Sequence, residues 1–149
     1  MHPALIPSES TFKDSIEAVD DKALELVSAP AQFQFALSYL GVSMGHMSIA
    51  SGGWCQFSSG AGAQFEQYTY TDGKSYYKVK GGDWDGYYLS CSRYAAVGVY
   101  AWNGAVGWHF EGSRFICEYN NKPLSFYKSD NPQLYAWDSY NVLDVSMEG

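Results

Sequence analysis

A chain of 149 residues with 16 acidic and 9 basic side chains, a formal charge of −7 and a pI near 4.7 is a poor partner for nucleic acid or an anionic membrane surface, because basic side chains on phosphates supply most non-specific affinity. The length suits one domain, able to bury about two thirds of the surface its unfolded form exposes. Apolar residues make up 46% and aromatic residues 17%, with 13 Tyr and 5 Trp, a surplus of amphipathic rings that serves β-sheet cores and recognition surfaces alike.

Met1 to Pro7 has no basic stretch and no apolar run long enough for a signal peptide, and no later segment approaches ~18 consecutive apolar residues. The expectation is a soluble chain, cytoplasmic or secreted without a leader, with no insertion into a membrane. Met1 to Ser10 reads as an arm. From Thr11 onward, Phe12, Ile16, Val19, Ala23, Leu26 and Val27 recur near a helical period, with Ser10 or Thr11 as N-cap and Asp14 three residues after Thr11. The spacing predicts one amphipathic helix from Thr11 to Val27, ended by Ala29-Pro30, since proline disfavours helical geometry in the residue before it. Residues 1–30 are thus expected as arm and helix, and residues 31–149 as the main domain.

After Pro30 the period changes to two. Phe33, Phe35 and Leu37 alternate, as do Tyr68 and Tyr70, Trp108 and Phe110, and Leu143 and Val145. Glycines punctuate these runs, and Asp72-Gly73 and Asn103-Gly104 favour the positive φ angles of tight hairpins. Short strands with turn signals every ~8 to ~12 residues predict an all-β barrel or sandwich.

A pattern occurs three times. Phe57-Ser58, Leu89-Ser90 and Leu124-Ser125 are each followed, after nine residues, by Tyr68-Thr69-Tyr70, Tyr100-Ala101-Trp102 and Tyr135-Ala136-Trp137. Five residues further on stand Tyr76, Trp108 and Leu143, and the copies start 32 and 35 residues apart. A fixed gap within copies and a varying gap between them is the signature of a repeated unit with variable loops. The third copy reads as four short strands, so three copies give about twelve, the count of a β-trefoil.

The run from Val99-Tyr100-Ala101-Trp102-Asn103-Gly104 to Trp108-His109-Phe110-Glu111-Gly112 and Phe115-Ile116 resembles the repeat of ricin-B-like β-trefoil lectins. Such a resemblance implies a trefoil of three pseudo-repeats that binds sugars. It covers Phe33 to Gly149 at the level of pattern. The Gln-x-Trp signature of that family is replaced by Val106-Gly107-Trp108 and Asn141-Val142-Leu143, and its sugar-binding aspartate would fall near Ser58, Ser90 or Ser125. The chain is also similar in length to the mycocypins, protease-inhibiting trefoils of mushrooms, without a matching inhibitory loop. A βγ-crystallin-like sandwich is the alternative fold.

Two kinds of turn present groups suited to hydroxyl-rich ligands. Asp83-Trp84-Asp85 lies between Gly81-Gly82 and Gly86: glycine lets backbone approach a ligand, carboxylates accept hydroxyl hydrogen bonds, and an indole face stacks on the C–H side of a sugar. The turns after the triplets add Tyr70 with Asp72, Trp102 with Asn103, and Trp137 with Asp138. Three quasi-equivalent weak sites would gain avidity on a multivalent glycan.

No catalytic or metal residue is assigned and no cofactor is implied. His2, His46 and His109 show no metal-ligand spacing, and His109 alternates with Trp108 and Phe110 and so faces away from the apolar side. Cys55, Cys91 and Cys117, with no CxxC pair, read as buried thiols rather than a disulfide framework. The expected function is lectin-like binding of glycans or glycoproteins. The rivals are a trefoil protease inhibitor or toxin-like defence protein, acting through Ser58 to Ala63 or Lys128 to Gln133, and a small β-barrel isomerase or cyclase with an aromatic-lined pocket.

Overall fold

The computed structural model describes residues 32–149 and the backbone of Glu25–Leu26. Those described residues are all-β, with one 3-10 turn at Trp102–Gly104. The two-residue strand β1 (Glu25–Leu26) lies beside Thr69 and Tyr68, so these two residues, assigned by periodicity to the helix, are extended. The rest of the predicted arm and helix lies outside the described residues.

Five strands form one sheet in the order β1-β5-β6-β7-β8, with β5 Gln64–Thr69, β6 Ser75–Lys80, β7 Tyr88–Cys91 and β8 Val97–Tyr100. The second sheet runs β14-β2-β3-β4-β12-β11-β10-β9, with β13 (Asn141–Val142) beside β11. Its strands are β2 Gln34–Tyr39, β3 Val42–Ile49, β4 Cys55–Ser58, β9 Trp108–Glu111, β10 Arg114–Cys117, β11 Lys122–Lys128, β12 Asn131–Ala136 and β14 Asp144–Glu148. This sheet curls back on itself: the Val145 amide donates to Ser113 O at 2.9 Å, and Arg114 pairs with Asp144 at 3.1 Å. Bridges Phe33↔Phe65, Trp54↔Gly98 and Ala96↔Tyr135 tie the two sheets together.

Alternation places the core. Phe33, Phe35 and Leu37 are buried while Gln34, Ala36 and Ser38 between them are half-exposed, as a period of two requires. Phe35 packs on Phe65, Tyr77 and Phe115, and Trp108 stacks on Phe115 at 4.8 Å while its indole N–H donates to Leu89 O. Burying such rings is the largest single contribution a side chain makes to stability. Cys55, Cys91 and Cys117 are buried free thiols, as expected from the sequence. Burial raises the Cys55 thiol pKa, and Cys91 and Cys117 lie with their sulfurs 3.3 Å apart.

The two predicted glycine turns differ. Asp72-Gly73 closes the β5–β6 hairpin, with Gly73 at φ +85° and the Asp72 carboxylate accepting from the Lys74 amide. Asn103-Gly104 closes no hairpin. It sits in the 3-10 turn where the chain leaves β8 for β9 in the other sheet, so no antiparallel partner follows it. Gly104 is instead held by the Ser90 hydroxyl, which donates to its carbonyl at 2.6 Å, and by close contact with Tyr100.

The repeats divide in the same manner. In the second copy Leu89 pairs with Val99 across β7–β8, and in the third Leu124 pairs with Ala136 across β11–β12. In the first copy Phe57-Ser58 lies on β4 and Tyr68-Thr69 on β5, strands of different sheets.

Candidate functional site

A cleft of about 530 Å³ opens between the end of β3, the 61–63 segment and the β6–β7 turn. The turn is built by its glycines: Gly81, Gly82 and Gly86 hold φ of +84°, +75° and +88°, a region costly for residues with a Cβ. Asp85 spends its carboxylate inside the turn, accepting from the Gly81 amide at 2.6 Å, and the Gly86 amide donates to Val79 O. Asp83 makes no hydrogen bond or ion pair among the described residues and lines the cleft. Trp84 forms another part of the wall. Its six-membered ring lies against Gly53, where a Cβ would sit 3.2 Å from the indole, and Tyr87 meets it edge-on at 5.1 Å.

The opposite wall needs a close approach of backbone. A Cβ on Gly62 would stand 2.7 Å from both His46 Cβ and Met47 O, and the Gly62 amide donates to Gln34 Oε1. Ser48, also in the wall, has a buried hydroxyl with no hydrogen-bond partner among the described residues. Such orphaned groups are rare enough to need an explanation, and a polar ligand supplies one. Gln64 and Lys80 complete the polar lining, Lys80 lying 3.7 Å from Glu66. An indole, a carboxylate, a hydroxyl and an amide around a cavity of this size form a site for a small polar molecule with apolar faces.

The aromatic turns do not form three equivalent sites. Trp102 contacts Tyr70, Tyr76 and Tyr88 with ring centroids 5.0 to 5.1 Å apart, so the first two turns merge into one packed cluster. Burial raises the Tyr76 phenol to about 12, aided by Asp72 and Glu118, and raises Tyr68 to about 12, aided by its hydrogen bond to Glu66. Asn103 sits within the 3-10 turn, and Asp72 is occupied by the Lys74 amide. The third turn stays at the surface. Trp137 is 39% exposed, its amide donating to Pro123 O, and Asp138 pairs with Lys122 at 3.0 Å beneath a cation–π contact of 5.6 Å from Lys122 to the indole.

Sequence reasoning singled out Asp83, Trp84 and Trp137 but not the residues that line the same hollows. Ser48, Gln64 and Lys80 sit on strands whose alternation marks only a solvent-facing side. Arg93, Tyr94 and Asn120, which surround Trp137, belong to turns outside the aromatic triplets.

His46 and His109 are engaged elsewhere. His46 bonds Glu148 at 2.7 Å, which raises its pKa, and His109 lies between Glu111 and Glu118, each at 2.8 Å. His109 is 37% exposed, as its alternation with Trp108 and Phe110 predicts. Neither bonds Asp83 or Asp85. Among the described residues no group of three or more His, Cys, Asp or Glu is placed to hold a metal ion, and no helix is long and apolar enough to cross a membrane. Comparison of the chain with protein-family models, with curated proteins and with solved structures found no match.

Proposed function

We propose that this protein is a lectin-like carbohydrate binder whose principal ligand occupies the Asp83–Trp84 cleft. The observation that carries the reading is the convergence, in one 530 Å³ cleft, of the Trp84 ring with an Asp83 carboxylate and a Ser48 hydroxyl that have no hydrogen-bond partner among the described residues. Sugars offer both chemistries, an apolar C–H face for the ring and hydroxyls for the carboxylate and serine. Binding is non-covalent, uses no cofactor, and takes glycans or glycoproteins as partners. The same reading treats the fold as trefoil-like, with three pseudo-repeats behind an N-terminal helix. The hairpins shared by the second and third copies support it. The first copy follows in residue spacing but not in strand pairing.

A glycan-array screen with tryptophan-fluorescence titration of each hit tests the proposal. The expected result is saturable binding to one sugar class, weakened about tenfold by Asp83→Asn, since a hydrogen bond to a charged group contributes ~1.5 kcal/mol. That substitution removes no hydrogen bond or ion pair within the described residues, so the variant should fold. A blank array from folded protein, or unchanged binding in Asp83→Asn, overturns it.

A further inference from the structure

The cleft leaves unexplained a second hollow of about 220 Å³, lined by Arg93, Tyr94, Asn120, Trp137 and Tyr140. Its rings are displayed rather than packed: Tyr94 is 76% exposed and Trp137 39% exposed. The aromatic surface extends further, since Tyr140 touches both Tyr127, itself 51% exposed, and Tyr135 at centroid distances of 5.1 and 5.2 Å. The frame beneath is hydrogen-bonded. The Ala136 amide donates to Ala95 O, and Asn120 donates through Nδ2 to Ala136 O while its Oδ1 accepts from the Lys122 amide.

Charge selects the ligand. In a chain of net charge −7, Lys80, Arg114, Lys122 and Lys128 are each paired with a carboxylate. Arg93 has no carboxylate partner among the described residues; its guanidinium lies 5.1 Å over the Tyr94 ring. The acidic residue next to Trp137, Asp138, is neutralised by Lys122. A planar guanidinium fixed by stacking keeps its donor fork for a carboxylate, while exposed Tyr and Trp faces take a sugar ring.

We infer that this hollow is a second subsite selective for an acidic saccharide, the rings stacking on a sugar whose carboxylate pairs with Arg93. The inference rests on the carbohydrate-binding reading and adds to it the ligand's charge.

The test is calorimetric titration of the full chain with a galacturonic acid trimer and with its fully methyl-esterified counterpart, which keeps the rings and removes the charge. The expected result is about tenfold tighter binding of the acid, a difference that shrinks as salt rises. Arg93→Gln should bring the acid to the affinity of the ester and leave the ester unchanged. Trp137→Ala should weaken both. Equal affinity for acid and ester, or an acid preference that survives Arg93→Gln, overturns the inference. In that event neutral sugars that still bind at the cleft leave the lectin reading standing, whereas failure of every saccharide removes both.

Discussion

Tyr100-Ala101-Trp102 and Tyr135-Ala136-Trp137 hold the same place in their copies, yet one ends packed and the other displayed. The difference lies in where the chain goes next. After Trp102 it crosses from the five-stranded sheet to β9 in the other sheet, and the 3-10 turn brings the indole among Tyr70, Tyr76 and Tyr88. After Trp137 it returns within the same sheet, β13 pairing β11, and the indole stays at the surface beside Lys122. Identical residues become packing or recognition according to the connection that follows them.

The sharpest way to break this comparison is to truncate both indoles. Trp102→Ala should cost about 3 kcal/mol of stability, as aromatic truncations within packed clusters do, and Trp137→Ala under about 1 kcal/mol. Urea unfolding of the two variants checks this; equal losses would mean that the packed and displayed roles are misassigned. Binding should show the reverse order, with Trp137→Ala the more damaging for the acidic ligand.

A second effect concerns the border of the packed cluster, where Glu118 sits between His109 and the hollow lined by Tyr76. The hydrogen bond to Glu111 raises the His109 pKa above 6.5, with Glu118 adding to it and burial opposing both. Because the folded value is the higher one, the imidazolium contributes stability that is fully present below about pH 6.5 and is lost as pH rises through the folded value. Stability measured from pH 5 to 9 should therefore fall across that window. In His109→Gln the step should shrink, leaving the part due to His46, whose pKa is raised by Glu148. A profile unchanged by the substitution would contradict the assignment.

The smallest effect belongs to the displayed turn. Asp138→Asn removes a half-exposed ion pair with Lys122 and should cost no more than about 0.5 kcal/mol. It should also leave a second negative charge out of the hollow's neighbourhood, so the acidic trimer should bind no worse than to the unaltered chain. Titration alongside Arg93→Gln measures both statements.

Period-two alternation, the glycine turns and the aromatic surplus determined, from sequence alone, that the residues after Pro30 form an all-β domain and that Phe33, Phe35, Leu37 and Trp108 belong to the core. They are local properties: one residue's neighbour two positions on decides which face it shares. The Asp72-Gly73 hairpin was legible for the same reason, since its turn chemistry is contained in adjacent residues. A hairpin at Leu40-Gly41 carries no such signal, because Leu40 takes φ +51° against its own preference and is held there by β2–β3 pairing.

What only the tertiary structure decided is which strands pair across long separations. That pairing put Phe57 and Tyr68 in different sheets, merged Tyr70 with Trp102, and brought Ser48 to Asp83 and Arg93 to Trp137. Long-range pairing depends on how two sheets bury a common set of rings, and spacing along the chain does not contain that information.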